Sequence, residues 1–172
     1  MEKIVITLDR KKNHEDSRID YHYALDFFVF LCTKSGKVDS EEDFVFYWNT
    51  KHHSGAVVRN DIEESNSTFG DVNDILVNLN CLPNIYESVY VYLYLFDGVK
   101  KKQTFEYLAN SCEVNIKSET GELIKTIPIP NVEGDIAELF CIKKRSKWMI
   151  EIVSTDDCNN AIAVCKKHGV DV

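Results

Sequence analysis

The segment Ser88-Val89-Tyr90-Val91-Tyr92-Leu93-Tyr94-Leu95-Phe96 alternates without a break between aliphatic and tyrosine side chains. Successive side chains point to opposite faces of a strand, whereas a helix repeats every three to four residues. The segment therefore predicts a strand in a sheet with two unlike faces. Val89, Val91, Leu93 and Leu95 form the core face, and Tyr90, Tyr92 and Tyr94 the other. Strands are rich in aromatics, so the tyrosine stripe reads as a half-exposed face or a boundary between packed layers. Stacking on bases or sugars is its functional alternative.

Further strand signals recur along the chain. They are Ile4 to Leu8, Tyr23 to Cys32, Asp43 to Tyr47, Cys112 to Ile116, Leu123 to Ile127, Ala137 to Lys143 and Trp148 to Val153. Glu119-Thr120-Gly121-Glu122 reads as a hairpin turn, and Lys144-Arg145-Ser146-Lys147 as a second, basic one. Helix signals are few. Thr104 to Leu108 could hold a short helix. The tail from Asp156 to Gly169 is the clearest, with Asp156 or Asp157 as cap, Ile162 and Cys165 on one face, and Gly169 as terminator. Arg10 to Asp20 and Asn49 to Asn73 read as irregular connections; loops of such length inside a compact domain are often functional. Many short strands and one terminal helix predict an all-β fold: a β-sandwich of two antiparallel sheets with a C-terminal helix, as a single domain over residues 1–172.

Charge and cysteine usage narrow the function classes. Twenty Lys and Arg against 28 Asp and Glu give a net charge of −8. Such a surface repels a phosphate backbone, so no nucleic-acid partner is expected, and it attracts small cations or basic partners. The longest apolar-rich run is far short of the roughly 18 residues of a membrane helix, so no direct membrane insertion is expected. The first residues carry no leader-like apolar core. The six cysteines are scattered without CxxC spacing. Together these features predict a cytoplasmic protein with reduced, mostly buried thiols.

Chemistry-bearing residues are sparse. The stretch from Asn60 to Asp74 is acidic and rich in oxygen ligands, which hard cations such as calcium favour. It lacks the EF-hand pattern, and a solvated acidic loop is the plain alternative. His52 and His53 are adjacent, so on a strand they point apart and make a poor joint metal site; surface or loop positions are expected for both. No GxSxG, GxGxxG or GxxxxGK[ST] occurs, which removes the commonest hydrolase and nucleotide signatures. Cys165 and His168 are helical neighbours by spacing. A packed cysteine beside a helix-terminal histidine is the simpler reading, because buried thiols are inert. Lys100-Lys101-Lys102 reads as a solubilising loop tip, with a local contact to an acidic partner as its alternative.

In order and spacing, several of these segments resemble the TerD family of tellurium-resistance and stress-response proteins. Ile4 to Asp9 is similar to the family's first strand, and Leu25-Asp26 with the apolar strand after it to the family's Phe-Asp-Leu-Asp-Ala-Ser segment. Gly36-Lys37-Val38, followed by Asp43-Phe44-Val45-Phe46-Tyr47-Trp48-Asn49, resembles the family's G-K-V and D-F-I/V-F-Y-N. Ile75 to Pro83 resembles the strand after the acidic loop, and Ala161 to Val172 the closing helix and tail.

The resemblance implies a β-sandwich with calcium bound by loops at one end. The family's loop reads roughly G-D-N-x-T-G-x-G-x-G-D-D-E. Here Gly70 and Asp71 keep the later Gly-Asp, while Val72 and Asn73 stand where an Asp and the Glu would be. Asp61 matches only with a one-residue shift, and Ala24 replaces the Asp that would precede Asp26. The ligand candidates are therefore Asp26, Asp61, Glu63, Asp71 and Asn73, a degenerate set that predicts weak or lost calcium binding unless Asp20, Glu63, Glu64 or Asp74 compensates. The resemblance further implies a non-enzymatic binding or scaffold protein in stress response, with protein partners that include other Ter-type proteins, and with self-association. Two alternatives stand beside it: a metal-independent interaction module of the same fold, and a small-molecule binder or enzyme using a pocket or the tyrosine stripe.

Overall fold

The computed structural model describes residues 3–11, 25–60, 74–152 and 160–172. Ten strands and three helices follow in chain order: β1 (Lys3–Arg10), β2 (Leu25–Thr33), β3 (Phe44–Val45), β4 (Val57–Asn60), β5 (Asp74–Asn78), β6 (Tyr86–Leu95), α1 (Gly98–Lys101), α2 (Phe105–Ser111), β7 (Cys112–Ser118), β8 (Leu123–Pro128), β9 (Ile136–Lys144), β10 (Trp148–Glu151) and α3 (Ala161–Lys167). They form two five-stranded sheets, one in the order β4-β5-β1-β7-β8, the other β10-β9-β6-β2-β3. Neighbours pair antiparallel, as in β1 with β7 and β2 with β6. The expected all-β sandwich with a C-terminal helix is the fold.

The alternation in β6 sorts as its period requires. Val89, Val91, Leu93 and Leu95 join the core between the sheets, with Phe27, Val29 and Leu31 of β2 and with Ile4 and Ile6 of β1. Tyr90, Tyr92 and Tyr94 lie on the other face, in a second cluster with Phe28, Phe30 and Phe44 and with Val164 and Cys165 of α3. The second sheet is thus covered on both faces, by the first sheet and by α3. A strand buried on both faces loses its polar alternation, and β2 is buried at every position from Leu25 to Cys32.

Three expectations need correction. The strand expected over Asp43 to Tyr47 is a two-residue ladder, Phe44 and Val45 against Phe30 and Val29. Asp43 instead ends a 3-10 turn, because its Oδ2 accepts the N–H groups of Asp39 at 2.8 Å and Ser40 at 3.0 Å. Beyond Val45 the Phe46 N–H donates to the Asn49 carbonyl at 2.9 Å, which turns the chain in a corner at Tyr47 and Trp48. The stretch from Asn49 onward is not wholly irregular: Val57–Asn60 is the edge strand β4, paired with β5. Finally, α3 is shorter than expected. Its cap is Asn160, whose side chain accepts the Ala163 N–H at 3.1 Å, and Asp156 and Asp157 lie outside the described residues. Val164 and Cys165 face the sheet, while Ile162 is exposed. Gly169 closes the helix at φ +81, donating to the Lys166 carbonyl at 3.0 Å.

Candidate functional site

Asp26 is the one ligand candidate among the described residues; Asp61, Glu63, Asp71 and Asn73 lie outside them, as do Asp20 and Glu64. Asp26 stands near the start of β2, opposite Tyr94 and on the outer face beside Phe28. The edge strands β3 and β4 pack together at this side of the sandwich, which lets Arg59 of β4 reach Asp26. The Arg59 Nη1 donates to Asp26 Oδ1, and the Tyr47 N–H donates to Asp26 Oδ2 at 3.0 Å. Both side chains of the ion pair are about nine-tenths buried. Burial pushes the Asp26 carboxyl up to about 6, with the Arg59 guanidinium and the Tyr47 amide pulling the other way.

Among the described residues, the surroundings of Asp26 do not make a calcium cage. A hard cation seeks oxygens in a cage of six to eight. Here one carboxylate oxygen already carries the chain's own cation, and the other fixes the Tyr47 corner. A divalent ion beside the guanidinium would meet like charge at short range. Asp26 is therefore a positioning residue for the Phe46–Asn49 corner. Asp74, a second acidic residue near the loop, opens β5 opposite Asn60. Burial and the neighbouring Asp9 push its carboxyl up. Asp9 in turn is held by Asn115 Nδ2 at 2.8 Å and Lys117 Nζ at 2.9 Å.

The histidine pair departs from its expected surface placement. His52 is fully buried and only His53 is exposed. The His52 Nε2–H donates to Asp43 Oδ1 at 3.1 Å, and its Nδ1 accepts the Ser54 N–H at 3.2 Å. These partners fix the neutral tautomer with the proton on Nε2. The Tyr86 hydroxyl donates to the same Asp43 Oδ1 at 2.7 Å. Burial opposes ionisation of Asp43, but its four donors hold the carboxyl below the usual range. Burial also lowers the His52 pKa, against the pull of Asp43. Asp43, His52 and His53 are close enough to share a cation. Yet each described lone pair of Asp43 and His52 already has a protein donor, and Ser54 Oγ closes the turn by accepting the Ala56 N–H at 3.1 Å. The cluster locks the Lys51–Ala56 turn to β6 rather than opening a site. Sequence spacing gave no signal for it, because Asp43 and His52 belong to different turns.

The His168 N–H donates to the Cys165 carbonyl at 3.1 Å, but its ring faces other groups. It packs on Phe30 at 4.6 Å and Tyr90 at 4.7 Å, its Nδ1 donates to the Gly36 carbonyl at 3.0 Å, and the Cys32 thiol lies 3.5 Å from Nδ1. Burial pushes the Cys32 thiol up strongly and the Cys165 thiol up to about 11. Both stay protonated at neutral pH, so neither is an activated nucleophile. Cys32, Cys81, Cys141 and Cys165 are free thiols. Among the described residues no helix is long and apolar enough to cross a membrane.

Known proteins share this architecture. A family model for the TerD domain matches residues 1–133. The general stress protein 16U of Bacillus subtilis (strain 168) is 27% identical over 143 residues, covering 83% of this chain and 69% of its own. The tellurium resistance protein TerD of Serratia marcescens is 22% identical over 153 residues, covering 87% of this chain and 79% of its own. Among solved structures, a homologue of the telluride resistance protein TerD, SCO6318 from Streptomyces coelicolor A3(2), superposes with a TM-score of 0.62 at 12% identity, over 98% of this chain and 96% of that one. At that identity the superposition shows the fold.

Proposed function

Because the chain belongs to the TerD family, we propose that it is a non-enzymatic stress-response module that binds and scaffolds protein partners, and that its Asp26 end works without calcium. The observation that carries this reading is the Arg59 guanidinium seated on the Asp26 carboxylate. Where the family resemblance places a metal ligand, this chain supplies its own cation. The tellurium-resistance and general-stress names of its relatives support the stress-response part. The closed networks of Asp43, His52 and His168 support the non-enzymatic part, since none offers a free base beside an ionised nucleophile.

The test is thermal unfolding in millimolar calcium against chelator, with magnesium as control. A ligand at about 100 times its Kd would add roughly 2.7 kcal/mol to the folded state, several degrees for a domain of this size. The expected result is coincident transitions in calcium and chelator. A calcium-specific rise that Asp26→Asn abolishes would overturn the reading and restore the degenerate loop as a metal site.

A further inference from the structure

The corner that Asp26 positions forms one wall of an aromatic groove. Its floor is the outer face of the second sheet, where Phe28, Phe44, Phe46 and Tyr94 meet ring to ring: Phe44 and Phe46 stack at 4.3 Å, and Phe28 lies 4.6 Å from Tyr94. Tyr47 and Trp48 rise from the corner, 5.2 Å apart in an edge-on contact. Ile162 of α3 and Val170 and Val172 of its tail make the opposite wall. The groove has a volume of about 610 Å³, within the range of a ligand site.

Two observations say what would fill it. The first is exposure. Trp48 is 81% exposed, and Tyr47, Ile162 and Val172 are exposed beside it. Single exposed apolar residues are ordinary, but a contiguous set marks an interaction surface. The second is charge. Glu41, Glu42 and Asp171 stand at the rim, and the described lining residues include no lysine or arginine. Aromatic faces attract cations, tryptophan most strongly. Carboxylates beside them favour the planar, weakly hydrated guanidinium, which stacks and forms forked hydrogen bonds at once.

We propose that this groove docks a segment of a partner protein through an arginine flanked by apolar side chains. The guanidinium would stack on Trp48 and pair with the rim carboxylates, while its neighbours would cover Ile162 and Val172. A second copy of the chain is a poor occupant, because two bodies of net charge −8 repel. An anionic membrane surface is repelled by the same rim. The inference rests on the binding-module reading above and names its surface and the chemistry of its partner.

The experiment is a screen of immobilised hexapeptides with a fixed central arginine and randomised flanks, against the same library carrying citrulline, the neutral isostere. The expected result is retention on arginine peptides with apolar flanks alone, read by displacement of the Trp48 indole resonance. Trp48→Ala should weaken binding about tenfold, between an exposed and a desolvated cation–π contact. Glu41→Gln with Glu42→Gln should weaken it and flatten its salt dependence. Trp48 is exposed enough that its variant should unfold at the parent temperature. Equal retention of citrulline peptides, no retention of either library, or binding untouched by Trp48→Ala would overturn the proposal. Methylguanidinium binding as tightly as the best peptide would overturn the peptide assignment in favour of a small organic cation. A natural partner that still binds the Trp48→Ala variant would leave the binding-module reading standing and remove this groove from it.

Discussion

The Tyr92 hydroxyl lies 2.8 Å from His168 Nε2, so the tyrosine face of β6 is joined by a buried hydrogen bond to the residue that closes α3. His168 is 1% exposed and its Nδ1–H is committed to the Gly36 carbonyl. Burial keeps the ring neutral with its proton on Nδ1, and Nε2 shares the Tyr92 hydroxyl proton with Glu138 Oε2, 3.1 Å from that hydroxyl. Glu138 and Lys167 flank the contact, with Lys167 Nζ 3.3 Å from Glu138 Oε2. Burial lowers the His168 pKa to about 4.

That shift sets a direction for acid stability. An unfolded histidine titrates near 6.5, so between about pH 6.5 and 4 the unfolded chain binds more protons. The His168 contribution is fully present above about 6.5 and is lost as pH falls toward 4, by roughly 3 kcal/mol. Asp26 works in the opposite sense, since burial raises its carboxyl to about 6 and the folded state gains protons there. The two are separated by variants. Urea unfolding across pH 4 to 7 should show a flatter acid limb for His168→Gln than for the parent. An unchanged limb would mean that His168 is not the group that titrates.

Breaking the Asp26–Arg59 pair should cost more than its surface counterparts. Both side chains are about nine-tenths buried, and removing one partner strands a buried charge, at about 3–5 kcal/mol. Asp26→Ala and Arg59→Ala should each lose that much in urea unfolding. The combined Asp26→Leu and Arg59→Met variant should recover most of it, because an apolar pair leaves no charge behind. Losses that simply add would mean that the two residues do not interact. Lys3 and Glu119 are exposed at 2.8 Å, and Glu119→Ala should leave the urea midpoint at the parent value.

Asp43 is the next buried carboxylate, and its donors come from three segments: the Asp39 and Ser40 amides, the His52 ring and the Tyr86 hydroxyl. Its carboxyl is held below the usual range, so its contribution is present above about pH 4 and is lost as pH falls further. Asp43→Asn removes the charge and turns one acceptor into a donor facing donors. A loss of about 2–3 kcal/mol at neutral pH is expected, with Tyr86→Phe costing roughly 1 kcal/mol. Chemical denaturation at pH 7 measures both, and equal losses would mean that Tyr86 is the only partner that matters.

The parts of the fold that follow from local periodicity were legible in the sequence. Val89 to Leu95 named both faces of the central strand, and the Cys112–Ile127 hairpin follows from its turn. Residues whose role depends on distant partners were not. Val57–Asn60 is too short to show a period, and it is a strand only because β5 pairs with it. His52 looked like a surface residue because nothing local buries it; Asp43, nine positions earlier, and Tyr86 do. Asp26 stands out by resemblance to a metal ligand, whereas Arg59, its ion-pair partner, lies 33 positions away and carries no local signature. The cap of α3 was misplaced because several Asp and Asn residues precede that helix, and only geometry selects Asn160.

Gly169 ends α3 at φ +81, a left-handed conformation that side chains with a Cβ adopt at a cost of about 1–2 kcal/mol. A Cβ there would lie 3.4 Å from Lys37 Cβ, an ordinary contact, so the penalty is backbone strain rather than collision. Gly121, at φ +87 with open space around it in the turn between β7 and β8, is the matched control. Gly169→Ala and Gly121→Ala should therefore lower stability by similar amounts, a few degrees in Tm. Only the first touches the helix whose tail walls the groove through Val170 and Val172. Arginine-peptide affinity should fall for Gly169→Ala and stay at the parent level for Gly121→Ala. Equal affinity in both variants would mean that the tail beyond α3 takes no part in docking.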